Sequence, residues 1–379
     1  MRADTGRTTS NRAQAFRGEF MRVAAVETVL PEHHYDQHQI TEAVAAWTEA
    51  DERLLRRFHD ATRVSGRNLA LPIEQYEKLK GFTAANDLYI GTALRLGEQA
   101  VRGALEASGI APEQVDQLVF CSSTGVATPS LDAALAQRVG LREDVKRVPI
   151  FGLGCAAGAA GLSRLHDYLR AWPDQVAVLV CVELCSLTVQ QDDHSVANLV
   201  ASGLFGDGAA AAVAIGGRRE EAEAAGRGRA AEARRGPRVV ATRSRLYPET
   251  ARLMGWDVGE HGFRIVLAAD LVDQVEACLA DDVSSFLGEH GLSPGRVSSW
   301  VCHPGGPKVI EKIAEVLALD HGELDLTWDS LQRIGNLSSV SVLNVLQETI
   351  ARRRPPADEP GLLMALGPGF SAELVLLRW

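Results

Sequence analysis

Three side chains in this sequence have the chemistry for acyl transfer: Cys155, His303 and Asn336. Cys155 falls in Phe151-Gly-Leu-Gly-Cys-Ala-Ala-Gly-Ala-Ala-Gly-Leu-Ser163, where an apolar run reads as a strand, a glycine turn follows, and a helix opens on small residues. At such a join the first unpaired N–H groups and the positive end of the helix dipole lower a thiol's pKa and favour the nucleophilic thiolate. Gly158 and Gly161 each cost a helix about 1 kcal/mol relative to alanine, so a helix that keeps both is expected to pack closely on another backbone. An isolated cysteine also reads as a small buried core residue; strand, turn and helix together favour the nucleophile. His303 precedes Pro304-Gly-Gly-Pro307, a rigid turn with open backbone, and is suited to holding the thiol as a thiolate in an ion pair. Asn336 offers a carboxamide donor, or simply caps the helix that follows it. A Cys/His/Asn protease uses the same groups, but the alanine- and glycine-rich surroundings do not suggest a peptide cleft.

Positioning these residues takes strands and helices from both ends of the chain. Met21–Leu30 reads as a strand, and 41–59 as a helix with Thr41 as its N-cap. Asn86–Ser108 is an alanine-rich helix, and Val115–Cys121 is a buried strand ending in the polar loop Ser122–Pro129, the place where open α/β sheets bind ligands. Val176–Val182 is a further buried strand, and Leu204-Phe-Gly-Asp-Gly208 turns into the alanine run 209–214. The Gly/Ala/Glu/Arg-rich stretch 216–238 reads as a solvated linker. Beyond it lie strands at 239–245 and 297–302, helices at 266–290, 307–317 and 335–350, and closing strands near 361–366 and 372–379. The halves echo each other. One strand leads into Ser122 and another into His303, 181 residues later, and the helices opened by Cys155 and Asn336 are also 181 residues apart. A repeat at one offset predicts two copies of a β/α unit, 21–215 and 239–379. A pseudo-twofold axis between them would bring Cys155, His303 and Asn336 together.

Composition narrows the class. The chain has 379 residues, 46% of them hydrophobic, enough for a large α/β core. A formal net charge of −10 without a long basic stretch argues against nucleic acid as a partner. The six cysteines form no CxxC pair and no zinc-like spacing, which points to a reducing, cytoplasmic setting without a metal. No apolar run reaches membrane-spanning length. Residues 1–20 are Arg/Ser/Thr-rich with no apolar core, so they read as a disordered tail or an over-extended gene start rather than a signal peptide. A basic cluster, Arg53, Arg56, Arg57, Arg63 and Arg67, is either a solvated helix face or a patch for a phosphate-bearing handle.

Gly154-Cys155-Ala-Ala-Gly, Leu204-Phe-Gly-Asp-Gly-Ala-Ala, His303-Pro-Gly-Gly-Pro, Gly335-Asn336-Leu-Ser-Ser and Gly367-Pro-Gly-Phe resemble, in order, the motifs of the type III polyketide synthases, the chalcone-synthase-like family of the thiolase superfamily. The resemblance covers about Met21 to Trp379. It implies a five-layered αβαβα thiolase fold and a homodimer in which Thr128 reaches into the partner's cavity. It implies acyl-CoA and malonyl-CoA as substrates and no bound cofactor. Cys155 would carry the acyl chain, while His303 and Asn336 would donate to the thioester oxygen of malonyl-CoA as it loses CO2. Phe205 and Phe263 match the aromatic wall between CoA tunnel and active site. Ser123, Cys185, Thr188 and Ser338 would line the pocket, and Gly305, Gly306 and Gly367-Pro368-Gly369 would keep side chains out of it. Arg57, Arg63 and Lys308 are candidates for the CoA phosphates.

Substrate depends on the departures. Ser123 and Cys185 stand where plant chalcone synthases carry threonines, and Met254 replaces a cavity-wall glycine. The run Met254-Gly-Trp-Asp-Val-Gly and Lys308 after the histidine motif resemble bacterial members that make alkylpyrones or alkylresorcinols from fatty acyl starters. Members using malonyl-CoA alone remain an alternative, as does a β-ketoacyl-ACP synthase III-like enzyme that condenses once and takes its acyl group from an acyl-carrier protein. A catalytically inactive thiolase-fold subunit is the reading from a different class.

Overall fold

The computed structural model describes residues 20–48, 50–224 and 236–379, so the tail read at 1–20 lies outside the described residues except for Phe20. The first half runs β1 (Met21–Val29), β2 (His33–Asp36), α1 (Gln37–Thr48), α2 (Glu52–Ala61), β3 (Gly66–Leu69), α3 (Gly81–Ser108), β4 (Gln117–Cys121), α4 (Leu131–Val139), β5 (Lys146–Ile150), α5 (Ala157–Ala171), β6 (Val176–Leu184), α6 (Val196–Leu204), β7 (Asp207–Gly216) and α7 (Gly217–Ala224). The second runs β8 (Arg238–Leu246), β9 (Met254–Gly259), β10 (Gly262–Leu267), α8 (Leu271–Glu289), β11 (Ser299–Cys302), α9 (Pro307–Val316), α10 (Asp325–Ile334), α11 (Ser339–Arg352), β12 (Pro360–Gly367) and β13 (Ser371–Arg378).

The strands join in the order β11-β12-β13-β8-β1-β7-β6-β4-β5, and the pairings on the two sides of β1–β8 repeat. Parallel β4–β6 matches parallel β11–β12. Antiparallel β6–β7 matches β12–β13, and β7–β1 matches β13–β8. The seam between the copies is narrow: β1 meets β8 through Met21↔Val239 and Arg22↔Arg238. The duplicated unit is therefore visible in the hydrogen bonding, strand by strand.

Side chains alternate along each buried strand, so each half-sheet feeds two cores. Ala177, Leu179 and Cys181 face a central core shared with Leu162, Leu165 and Leu169 of α5 and Val342, Leu343 and Leu346 of α11. Val176, Val178, Val180 and Val182 face the opposite way, against Leu96 and Val101 of α3 and Leu135 of α4. In the second half, Leu362 and Leu374 meet Val275 and Leu279 of α8 and Ile310 of α9. Helix, sheet, helix, sheet, helix is the five-layered arrangement that the sequence motifs imply. The alanine run at 209–214, a good helix former by propensity, is strand because β7 sits between β1 and β6 with both faces buried.

The two central helices touch. A Cβ on Gly158 would lie 2.3 Å from the carbonyl oxygen of Ser339, so α5 meets the start of α11 backbone to backbone. Gly161 instead meets a side chain, Leu179, at 2.4 Å.

Three expectations are corrected. The helix read over 41–59 is two helices. Thr41 lies inside α1, its Oγ1 donating to the Gln37 carbonyl at 2.7 Å, and Asp51 is the N-cap of α2, accepting from the Leu54 N–H at 2.8 Å. The helix read from 266 begins at Leu271, because Met254–Leu267 folds back as the β9–β10 hairpin. The stretch read as solvated linker opens as α7, where Glu220 is buried in ion pairs with Arg22 at 2.6 Å and Arg238 at 3.1 Å; residues 225–235 lie outside the described residues.

Gly158→Ala is expected to destabilise the fold by about 1–3 kcal/mol through overpacking. Gly288→Ala, in α8 with open space where its Cβ would go, is expected to be neutral or stabilising by up to about 1 kcal/mol. Urea unfolding of the two variants checks this; equal midpoints would show that the helix contact is not tight.

Candidate active site

Each candidate catalytic residue leaves the end of a central element. Cys155 sits in a single 3-10 turn, Gly154–Ala156, that runs straight into α5. Gly154 takes φ +47, and a Cβ there would lie 2.8 Å from Pro368. Only a glycine suits both the turn and that contact. His303 follows β11, its N–H donating to the Met364 carbonyl at 2.9 Å. Asn336 lies between α10 and α11 in a short parallel bridge with Phe205: its N–H donates to the Leu204 carbonyl, and its own carbonyl accepts from Gly206, both at 2.9 Å.

The three side chains face one hollow. Cys155, His303 and Asn336 are each at most 5% exposed, and together they line a narrow apolar space walled by Phe205, Met254, Val309 and Phe370. The Ser338 and Asn336 side chains are the polar groups that favour a thiolate on Cys155. Asn336 Nδ2 donates to the Gly305 carbonyl at 3.2 Å and its Oδ1 accepts from the Ser338 N–H at 2.8 Å, which fixes the carboxamide with its N–H side toward the hollow. Both ring nitrogens of His303 are buried without a hydrogen-bond partner among the described residues, an arrangement that suits a ligand group in the hollow.

Other predicted pocket residues divide into two groups. Phe205 is the wall between this hollow and a second one lined by Cys185, Thr188, Trp256 and Ile265. Thr188 also borders a third, where Phe263 sits among Phe82 (ring centroids 5.5 Å), Trp256 (5.9 Å) and Phe151 (6.2 Å). These spaces form a row from the surface aromatics to Cys155. Gly305 lines the first hollow, but Gly306, Gly367, Pro368 and Gly369 do not. Gly367 backs the nucleophile turn instead, and a Cβ there would lie 2.6 Å from Ala156. Ser123 and Ser338 point to a carboxylate described below, and Thr128 is exposed on its loop. Of the basic residues, Arg57 and Lys308 are exposed. Arg63 is engaged with Glu311 at 2.6 Å and stacked over Trp328, so it is less free for a phosphate than expected. Arg67 belongs to neither a solvated face nor a phosphate patch, being 1% exposed. Among the described residues no cluster of His, Cys, Asp or Glu could hold a metal.

Comparison with known proteins places this geometry. The family models for the N-terminal and C-terminal domains of chalcone and stilbene synthases match residues 7–218 and 238–379. The chain is 53% identical, over 94% of its length and 93% of the relative's, to a 1,3,6,8-tetrahydroxynaphthalene synthase of Streptomyces peucetius subsp. caesius. It is 35% identical to a putative chalcone synthase of Bacillus subtilis over 94% of this chain and 98% of that one. The crystal structure of a bacterial type III polyketide synthase, the tetrahydroxynaphthalene synthase of Streptomyces coelicolor, superposes with a TM-score of 0.86 at 29% identity, covering 94% of this chain and 99% of that one. The chain is a type III polyketide synthase.

Such a synthase condenses coenzyme A thioesters without a resident cofactor, so its own side chains supply the electrostatics. Sequence reasoning missed the central one. Glu183, at the end of β6 and fully buried, accepts from Ser123 N–H (3.1 Å) and from the hydroxyls of Ser123 (3.2 Å), Thr124 (3.0 Å), Ser338 (3.3 Å) and Ser339 (2.6 Å). One carboxyl thus ties the Ser122 loop of the first half to the Asn336 loop of the second. Burial raises its pKa while the donors from Ser339, Ser123 and Thr124 oppose that. The signal for it was a lone acid closing an otherwise apolar strand.

Burial also pushes the Cys155 thiol up to about 12, with Glu183 adding to the effect and Ser338 and Asn336 opposing it, and pushes His303 down to about 3. Neither charge is stable alone in so dry a hollow. A thiolate on Cys155 and an imidazolium on His303 would offset each other's burial cost only if formed together. In His303→Gln that partner is gone, so alkylation of Cys155 by iodoacetamide is expected to require a higher pH than in the parent. A rate–pH profile read by mass spectrometry tests this, and coincident profiles would show that the imidazole does not hold the thiolate.

Proposed function

We propose that this synthase uses malonyl-CoA as both starter and extender and closes the chain to a polyhydroxylated naphthalene. The observation that supports this product class is the 53% identity, across nearly the whole chain, to a 1,3,6,8-tetrahydroxynaphthalene synthase. The ten ring carbons of such a product bear no side chain, so they correspond to five two-carbon units, each left by a malonyl group that has lost CO2. In this reading Cys155 attacks the starter thioester, expels CoA and holds the acyl group. Asn336 and His303 donate to the thioester oxygen of the next malonyl-CoA, where negative charge develops as the carboxylate leaves as CO2. The resulting enolate carbon attacks the acyl-Cys155 carbonyl and the thiolate departs, leaving a chain two carbons longer on CoA. Phe205 and Phe263 keep the passage apolar, which favours conversion of a carboxylate to neutral CO2.

One observation favours a second reading, the fatty acyl starter with pyrone or resorcinol closure. The hollow beside Cys155 continues between Met254, Leu267, Leu271, Val275, Ile313 and Leu366, an apolar lining suited to an alkyl chain. Incubation with malonyl-CoA alone, then with a fatty acyl-CoA series, separates the two by product mass. The first reading expects a naphthalene-type product, carrying no alkyl starter, from malonyl-CoA alone. Products formed only when an acyl-CoA is added would replace it with the second. A single β-ketoacyl product would return the β-ketoacyl-ACP synthase III-like alternative, with an acyl-carrier protein as the donor to test next.

The synthase is also proposed to act as a homodimer. Strand β5 ends the sheet with an unpaired edge, which soluble proteins tend to cover. Beside it Phe151 is 53% exposed, Val126 41% and Leu88 37%. Phe151 also touches Phe263, so this apolar surface is continuous with the site, and Thr128 stands on the same loop as Val126. Sedimentation of the parent should give a dimer and of Phe151→Asp a monomer; a monomeric parent would reject the arrangement.

A further inference from the structure

Behind the wall of the active site lies a fully buried guanidinium. Arg67, on β3, is 1% exposed, and its Nε and Nη1 have no hydrogen-bond partner among the described residues. Its Nη2 donates to the Ser202 carbonyl near the end of α6. Leaving two guanidinium nitrogens dry and unpaired is costly, and the contacts of this side chain suggest what the cost supports. A Cβ on Gly206 would lie 3.3 Å from Arg67 Cβ, and one on Gly335 3.6 Å from Arg67 Cδ. Those glycines flank the Phe205–Asn336 bridge, so the arginine stem packs beside both backbones, together with Ile334, Leu337 and the Leu204 carbonyl. Gly335, at φ +72, would also clash with the Leu204 carbonyl at 2.8 Å if it carried a side chain.

The charge has a built environment as well. Asp207, the residue after Gly206, accepts from Ala70 N–H at 2.6 Å and Ser186 N–H at 2.8 Å, and from the Ser186 hydroxyl. Ser186 in turn bonds Tyr76 at 2.5 Å and follows Cys185, which lines the second hollow. The charged partner of Arg67 is Asp207, without a direct ion pair to the carboxylate among the described contacts. Burial lowers the guanidinium pKa only to about 10, so the cation persists at neutral pH. A buried positive charge therefore stands beside the glycines that flank the Phe205–Asn336 bridge, and that bridge borders the space where malonyl-CoA would develop its enolate.

We propose that Arg67 is a positioning residue for malonyl-CoA decarboxylation: its stem sets the Phe205–Asn336 bridge, and its charge, shared with Asp207, biases the hollow toward the enolate. The proposal rests on the decarboxylative reading above. It touches no substrate, so its removal should cost less than the hundredfold or more typical of a direct oxyanion donor, about tenfold.

The test separates decarboxylation from loading. In a Cys155→Ala background, conversion of malonyl-CoA to acetyl-CoA reports the first; in the Cys155-intact protein, acyl-enzyme mass with a starter acyl-CoA reports the second. Arg67→Met, which keeps the stem and removes the charge, is expected to lower kcat for decarboxylation about tenfold with little change in KM and loading intact. Arg67→Lys is expected to restore much of that loss. If Arg67→Met does not fold, Arg67→Gln, which is neutral but keeps polar N–H donors, serves in its place. Decarboxylation at the parent rate, loss of loading in equal measure, or a lysine variant no better than methionine would each overturn the proposal. A Cys155→Ala parent that forms no acetyl-CoA would instead overturn the decarboxylative reading on which it rests.

Discussion

The close approach of α5 and α11 organises this molecule. Two helices whose backbones meet at Gly158 and Ser339 cannot slide without a clash, and each begins two or three residues after a candidate catalytic side chain. Because the helices start side by side, Cys155 and the Asn336–Ser338 segment arrive at one point, and β11 delivers His303 to the same place. Everything outside this central layer, the half-sheets and their outer helices, serves to keep two helix starts in register. Dense interiors transmit such a constraint because they have little free volume in which to relax it.

The Glu183 carboxyl adds a polar counterpart to that apolar contact. Five donors from both halves converge on it, so the Ser122 loop and the Asn336 loop are fixed relative to each other by hydrogen bonds as well as by packing. The combination explains how a dry, mainly apolar hollow can hold a reactive thiol. Burial opposes a charge on Cys155 or on His303, and the Ser338 and Asn336 side chains oppose that effect for the thiolate.

Much of this was legible in the residues. The constant offset between Ser122 and His303, and between Cys155 and Asn336, reflects duplicated strand–turn–helix spacing, and the repeated pairings of the two half-sheets are its physical form. The small residues after Cys155 announced a close helix contact, correctly at Gly158, while Gly161 faces a side chain. What failed did so because local pattern competes with tertiary context. Thr41 looked like a cap but bonds backward inside its helix. The apolar stretch near 266 merged by eye with the helix beyond it, although Gly255, Gly259 and Gly262 mark a hairpin. Arg67 was grouped with its basic neighbours, since sequence spacing carries no record of burial when the partners are backbone carbonyls and distant carboxylates. Glu183 was the reverse case: a lone acid closing an apolar strand is a signal, and it went unused.

The join between the halves is placed by one strand. β7 carries the polypeptide from Asp207, beside the catalytic hollow, to Gly216 at its far end, a span of roughly 30 Å at the usual rise per residue. The crossover therefore begins and ends at the pole remote from the chemistry, where Glu220 clasps Arg22 and Arg238. The described ends of that crossover, Ala224 and Gly236, therefore lie on the side of the sheet away from the hollow, and the Glu220 clasp anchors the hand-over from one half to the other there.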